Sequence, residues 1–134
     1  MTSLAAMVVL SDGDGRALLV RQGYGKGLWA LPGGEVEINE APWNAATREA
    51  REEVGVAVEI DAFVALYHLP APRPGLRFVF AGRTADTPEP QSEEIVEIGW
   101  FTPEMLPVAT HASVPFAVRD AMDGARGITR EILR

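Results

Sequence analysis

A layered α/β protein is what this sequence predicts, on three observations. Apolar runs of strand length recur along the chain: Leu4 to Leu10, Ala17 to Arg21, Leu76 to Ala81 and Ile95 to Phe101. Two other segments, residues 42–54 and Val114 to Met122, place their apolar residues at helical spacing. The links between them are rich in Gly, Pro and Asp, which mark turns. Strands interleaved with amphipathic helices bury the apolar face of each against the other.

Leu4 to Leu10 is almost wholly apolar, as a buried strand would be. Ser11-Asp12-Gly13-Asp14-Gly15 reads as a turn and Ala17 to Arg21 as a second strand, so the two are expected to pair as a hairpin. Gly23-Tyr24-Gly25-Lys26-Gly27 lacks the Gly-Lys-Ser/Thr ending of a P-loop and opens no helix, so it is expected to be a flexible turn. Arg21 and Lys26, on either side of that turn's start, are candidates to reach a substrate phosphate. Leu31-Pro32-Gly33-Gly34 reads as a strand end entering a loop, where glycine lets backbone carbonyls approach a ligand.

Residues 42–54 form the helix around which the rest is organised. Pro42 suits its first position and Gly55 the left-handed residue that ends it, while Ala41 is a weak cap. Trp43, Ala46, Ala50 and Val54 make an apolar stripe that can press the helix onto a sheet. Glu49, Glu52 and Glu53 fall at i, i+3 and i+4 on a neighbouring face. Like charges at that spacing repel, so the cluster points to a bound cation. Carboxylates with no His or Cys nearby suit a hard ion, Mg²⁺ or Mn²⁺, and not zinc. Most acidic runs are only solvated helix faces, but this one sits inside a spaced pattern.

Val56 to His68 continues as a long strand. Leu69-Pro70-Ala71-Pro72-Arg73-Pro74-Gly75 cannot extend a ladder and reads as a stiff exposed loop. Leu76 to Ala81 and Ile95 to Phe101 return to the sheet, separated by a polar loop over 84–92. Thr102-Pro103 opens a helical turn with the hydroxyl in a capping position. Val114, Val118, Ala121 and Met122 give the last helix its core face, with Gly124 as its stop. Aromatics and His that could face a bound ligand are Tyr24, Tyr67, His68, Phe78 and Phe80.

The 134 residues fit one domain, 1–134, with no run of membrane-spanning length and no basic signal-peptide start. A net charge of −7 argues against a nucleic-acid polymer or an anionic membrane as partner. It leaves a small nucleotide open, since bound metal can supply positive charge locally. The absence of cysteine excludes disulfides, thiolate zinc sites and Cys nucleophiles, and fits a reducing cytoplasm. His68 and His111 lack partner motifs, and no Ser or Thr stands in a nucleophile elbow.

Gly34 to Val56 resembles the Nudix box. Its fixed letters are Gly34, Glu40, Arg48, Glu49, Glu52, Glu53 and Gly55, with Ala50 and Val56 at its apolar positions. At about 7% usage per letter, seven such matches arise by chance on the order of once in 10⁸ start positions. The resemblance implies a Nudix fold, an α/β/α sandwich around a central mixed β-sheet. It implies a Mg²⁺ or Mn²⁺ shell from the Gly34 carbonyl, Glu49, Glu52 and Glu53, with Glu40 and Arg48 pairing to support the box. Glu94, six residues before Trp100, is similar to a second acidic position of the family. Glu52, Glu53 and Glu94 are thus the catalytic candidates, with Glu52 or Glu94 the better general base.

The activity implied is hydrolysis of a pyrophosphate bond in a nucleoside diphosphate linked to another group: a nucleoside triphosphate, nucleotide sugar or ADP-ribose. Arg21, Lys26 and Tyr67 are the substrate-binding candidates. Pro72 matches a position found in ADP-ribose-cleaving relatives, though Pro70 and Pro74 crowd the same loop. Pro72-Arg73-Pro74 stand where diadenosine-polyphosphate hydrolases carry a tyrosine, which weakens that subclass. A non-catalytic nucleotide sensor on the same fold is the alternative, but it would not need the full carboxylate set. Relatives are often homodimers.

Overall fold

A computed structural model of the chain describes residues 2–133. Its strands are β1 (Ser3–Leu10), β2 (Ala17–Gln22), β3 (Trp29–Ala30), β4 (Gly33–Glu35), β5 (Glu59–Leu69), β6 (Gly75–Arg83), β7 (Ile95–Phe101) and β8 (Ile128–Glu131). Its α-helices are α1 (Pro42–Val54) and α2 (Ser113–Met122), and a 3₁₀ turn covers Pro103–Met105.

The strands form a five-stranded mixed sheet, ordered β4-β1-β6-β5-β8, and a three-stranded antiparallel sheet, ordered β3-β2-β7. Within the larger sheet β1 runs parallel to β6 and β5 parallel to β8. Successive residues of β1 point to opposite faces. Ala6, Val8 and Leu10 join the Ala46, Ala50 and Val54 face of α1, while Val9 joins Val114, Ala117 and Val118 of α2. The sheet therefore lies between two helices, the α/β/α sandwich of the Nudix fold. Among the described residues, no helix is long and apolar enough to cross a membrane.

The expected hairpin between the first two strands does not form. Both edges of β1 are already taken, by β4 on one side and by β6 from Ser3↔Gly75 to Leu10↔Gly82 on the other. β2 is left for the second sheet, and just past the end of β1 the turn between them is closed by the Ser11↔Ala17 bridge and by Asp12 N–H to Arg16 O at 3.0 Å. Gly33 and Gly34, expected in a loop, are paired in β4 with Met7 and Ala6. In the helical stripe Ala45 replaces Trp43, which is 55% exposed. Thr102 makes no side-chain cap. The α1 limits are those read from sequence, including an uncapped Ala41 and Gly55 at φ 72°.

Tyr67 is corrected from substrate contact to core. It is fully buried, and its hydroxyl donates to Asp120 Oδ2 at 2.5 Å. Arg130 of β8 donates to both Asp120 oxygens, at 2.7 and 2.8 Å, and holds that carboxyl below its usual range. The network ties α2 to β5 and β8. Tyr67→Phe is expected to lower stability by about 1–2 kcal/mol, read in a urea melt, because Asp120 keeps Arg130 but loses one donor. Substrate affinity should be unchanged; a raised KM would restore Tyr67 to the binding candidates.

Candidate active site

α1 places its carboxylates beside the glycines of β4. Its apolar face is packed on β1, so the helix cannot roll, and the acidic face is held at the sheet's edge. Glu53 reaches furthest in: its Oε1 accepts the Gly33 backbone N–H at 3.0 Å. Burial pushes the Glu53 carboxyl up to about 8, opposed by that hydrogen bond and reinforced by the charges of Glu49, Glu94 and Glu52. Burial likewise raises Glu49, against the pull of Arg48. Gly34 lies so close to Glu49 that a Cβ would stand 2.6 Å from its carboxylate carbon, so only glycine leaves this space open.

Arg48 connects the box internally. Its Nε and Nη2 donate to the two oxygens of Glu40 at 2.8 and 3.1 Å, and Nη2 also donates to the Glu35 carbonyl at 3.1 Å. Its Nη1 donates to Glu49 Oε1 at 3.0 Å and to Glu52 Oε2 at 3.2 Å. The first pairing pins the loop between β4 and α1, and the second draws two carboxylates toward one guanidinium.

By donor chemistry this cluster fits Mg²⁺ or Mn²⁺: oxygen only, two ligand candidates half-buried, and a glycine whose missing side chain leaves room at Glu49. Among the described residues, no three acidic or His side chains are yet drawn into a closed cage.

A cleft of about 570 Å³ opens from Gly33, Gly34 and Glu35. Met7, Leu28, Leu31, Leu69 and Val114 supply its apolar lining, and Gln22, Tyr24, Lys26, Arg77, Thr110 and His111 its polar lining. That size and mixture are usual for a small-molecule site. Lys26 lies in this lining, on a turn closed by Gln22 N–H to Leu28 O and Gly27 N–H to Tyr24 O, each 3.0 Å. Arg21 does not: its Nε donates to Glu97 at 3.0 Å, which draws it toward β7. Of the aromatic candidates only Tyr24 lines the cleft, and Phe78 and Phe80 pack in the core. Glu94 joins the cluster through the turn, its carbonyl accepting Gly23 N–H at 2.8 Å and its charge acting on both Glu53 and Tyr24.

Gln22, Arg77 and His111 also line the cleft, and none of them is a binding candidate by sequence. Arg77 sits in an otherwise apolar strand, which is a readable signal. Gln22 and His111 carry no local pattern.

The raised Glu53 carboxyl has a measurable consequence. Between the ordinary carboxylate value and about 8, Glu53 holds its proton in the folded chain but not in the unfolded one. Its contribution to stability is therefore complete at low pH and is lost as pH rises through that window. The melting temperature of metal-free protein is expected to fall between pH 5.5 and 8.5, and saturating Mg²⁺ to raise it more at 8.5. A flat profile with a pH-independent Mg²⁺ effect would contradict this placement of Glu53.

A family model described as NUDIX domain matches residues 1–120. A MutT-like protein of Streptomyces ambofaciens is 35% identical over 125 residues, covering 92% of this chain and 77% of its own length. An isopentenyl-diphosphate Delta-isomerase of Streptomyces griseus is 33% identical, covering 96% of this chain and 72% of its own. Among solved structures, a MutT NUDIX hydrolase from Burkholderia pseudomallei matches with a TM-score of 0.82 at 24% identity, over 90% of this chain and 98% of that one. At that identity it speaks for the fold.

Proposed function

Because this chain belongs to the NUDIX hydrolase family, we propose that it hydrolyses the pyrophosphate bond of a nucleoside diphosphate linked to another group. The observation that carries this reading is the carboxylate of Glu53, half-buried beside Gly33 among Glu49, Glu52 and Glu94 where the cleft begins. A pyrophosphate resists water largely because its own oxygens repel a nucleophile, so its charge has to be offset and water delivered in line.

Glu49, Glu52, Glu53 and the Gly34 carbonyl would hold Mg²⁺ or Mn²⁺, which when bound neutralises phosphate oxygens and lowers the pKa of water. The remaining roles belong to side chains. Lys26 and Arg77 line the cleft and offset the charge of phosphates that extend into it. Arg48 and Glu40 keep the β4–α1 loop, and with it the Gly34 carbonyl, in place. Glu52 or Glu94, the more exposed carboxylates, takes the proton of the attacking water.

The Streptomyces griseus relative is named for a diphosphate ester without a nucleoside. The deciding experiment is therefore a turnover screen with nucleoside triphosphates, nucleotide sugars, ADP-ribose, dinucleoside polyphosphates and isopentenyl diphosphate, with and without Mg²⁺ or Mn²⁺. Metal-dependent release of a nucleoside monophosphate is the expected result, and the second product names the linked group. Conversion of isopentenyl diphosphate alone would overturn the nucleotide reading. Binding of nucleotides without turnover would favour a sensor.

A further inference from the structure

The polar side of the cleft has a built-in orientation. His111 Nε2 lies 2.9 Å from Gln22 Oε1, and because a carbonyl oxygen only accepts, His111 donates and occupies that oxygen. His111 is itself fixed, since its backbone N–H donates to Trp29 O at 3.0 Å and Trp29 N–H donates to Ala109 O at 2.8 Å. Gln22 closes the base of the Tyr24 turn through its own N–H to Leu28 O at 3.0 Å. Across from it β7 carries an extra residue, Val96, between the partners of Arg21 and Gln22. Such a bulge bends the end of a ladder and re-aims the side chains beyond it. Arg21 is drawn to Glu97, whereas Gln22 lines the cleft.

With its oxygen turned to His111 and one amide N–H engaged by the Tyr24 hydroxyl, the Gln22 amide has a single further N–H donor to offer the cleft that it lines. Apolar Leu28, Leu31, Leu69 and Val114 line the same space and suit the faces of a flat ring. We propose that Gln22, oriented by His111, reads the nucleobase of the substrate and selects bases that present a ring carbonyl, the 6-oxopurines and 4-oxopyrimidines. A carbonyl at that edge accepts the amide proton. An exocyclic amino group at the same place sets donor against donor and leaves both unpaired. The inference rests on the nucleotide reading above and adds which nucleotides are preferred.

The test compares kcat/KM for GTP, UTP, ATP and CTP in wild type, Gln22→Ala, Gln22→Glu and His111→Ala. Wild type is expected to favour GTP over ATP and UTP over CTP by about tenfold, the effect of one hydrogen bond gained rather than opposed. Gln22→Ala should bring both ratios close to one. Gln22→Glu, an acceptor where the amide donated, should invert them, an outcome that loosening of the loop cannot produce. His111→Ala frees the amide to turn and should shrink the ratios without inverting them. Equal wild-type rates on all four, or ratios unchanged in Gln22→Ala, overturn the proposal while leaving pyrophosphate hydrolysis standing. If wild type cleaves none of them, calorimetric titration with GMP and AMP decides: tighter GMP binding that is lost in Gln22→Ala supports the assignment. Equal or undetectable binding of the two rejects it.

Discussion

Glu53→Gln is expected to lower kcat by about three orders of magnitude while the protein folds normally. The substitution keeps size and shape, and the amide oxygen can still accept the Gly33 N–H that Glu53 accepts at 3.0 Å. What disappears is the negative charge at the most enclosed point of the acidic cluster. That charge is also a burden to the metal-free fold, because burial and the neighbouring glutamates disfavour it. The variant should therefore melt higher than wild type at pH 8.5 without metal, and gain less from Mg²⁺. Opposite movement of activity and metal-free stability separates a ligand from a residue that merely supports the fold. A kcat within tenfold of wild type would remove Glu53 from the site.

The two adjacent glycines should fail in different ways when given a methyl group. At Gly33 a Cβ would stand 2.4 Å from the Ala6 carbonyl oxygen and 2.7 Å from Met7 Cα, both backbone atoms of β1. Neither can yield without opening the β1–β4 ladder, so Gly33→Ala is expected to lose about 3 kcal/mol or more in a denaturant melt. At Gly34 the nearest atoms belong to the Glu49 carboxylate, 2.6 Å away at the end of a flexible side chain. Gly34→Ala should fold, move Glu49, and show roughly ten- to hundredfold weaker half-saturation by Mg²⁺ in turnover assays. Wild-type Mg²⁺ dependence in a folded Gly34→Ala protein would mean that Glu49 is no ligand.

Local sequence is a good guide to α1 and a poor one to the company each strand keeps. Pro42, Gly55 and the 3.6-residue spacing of Ala46, Ala50 and Val54 are signals written within a few residues, and the helix limits come from them. Pairing is a relation between distant segments. The turn at Asp12 to Gly15 looks like a hairpin because nothing near it reveals that β6, some seventy residues on, takes the edge of β1. β8 is hard to see in sequence because Ile128–Glu131 is four residues long and mostly polar. Tyr67 is easily misread as a substrate contact because alternation gives two faces to a strand without saying which one meets α2. Around the cleft, Lys26 and Tyr24 sit in a turn that its glycines make conspicuous. Gln22 and His111 are 89 residues apart and meet only in three dimensions.

The position of β1 also bears on how the chain is made. β1 (Ser3–Leu10) is synthesised well before its long partner β6 (Gly75–Arg83), which follows about 70 residues later, roughly 4–14 s at ordinary elongation rates. Until then it has only the three-residue β4 to pair with, and its apolar residues have no sheet to enter. Long-range parallel pairing of this kind folds slowly and leaves strand edges exposed while it waits. Expression is accordingly expected to respond to growth temperature and chaperone supply, read as the yield of soluble protein.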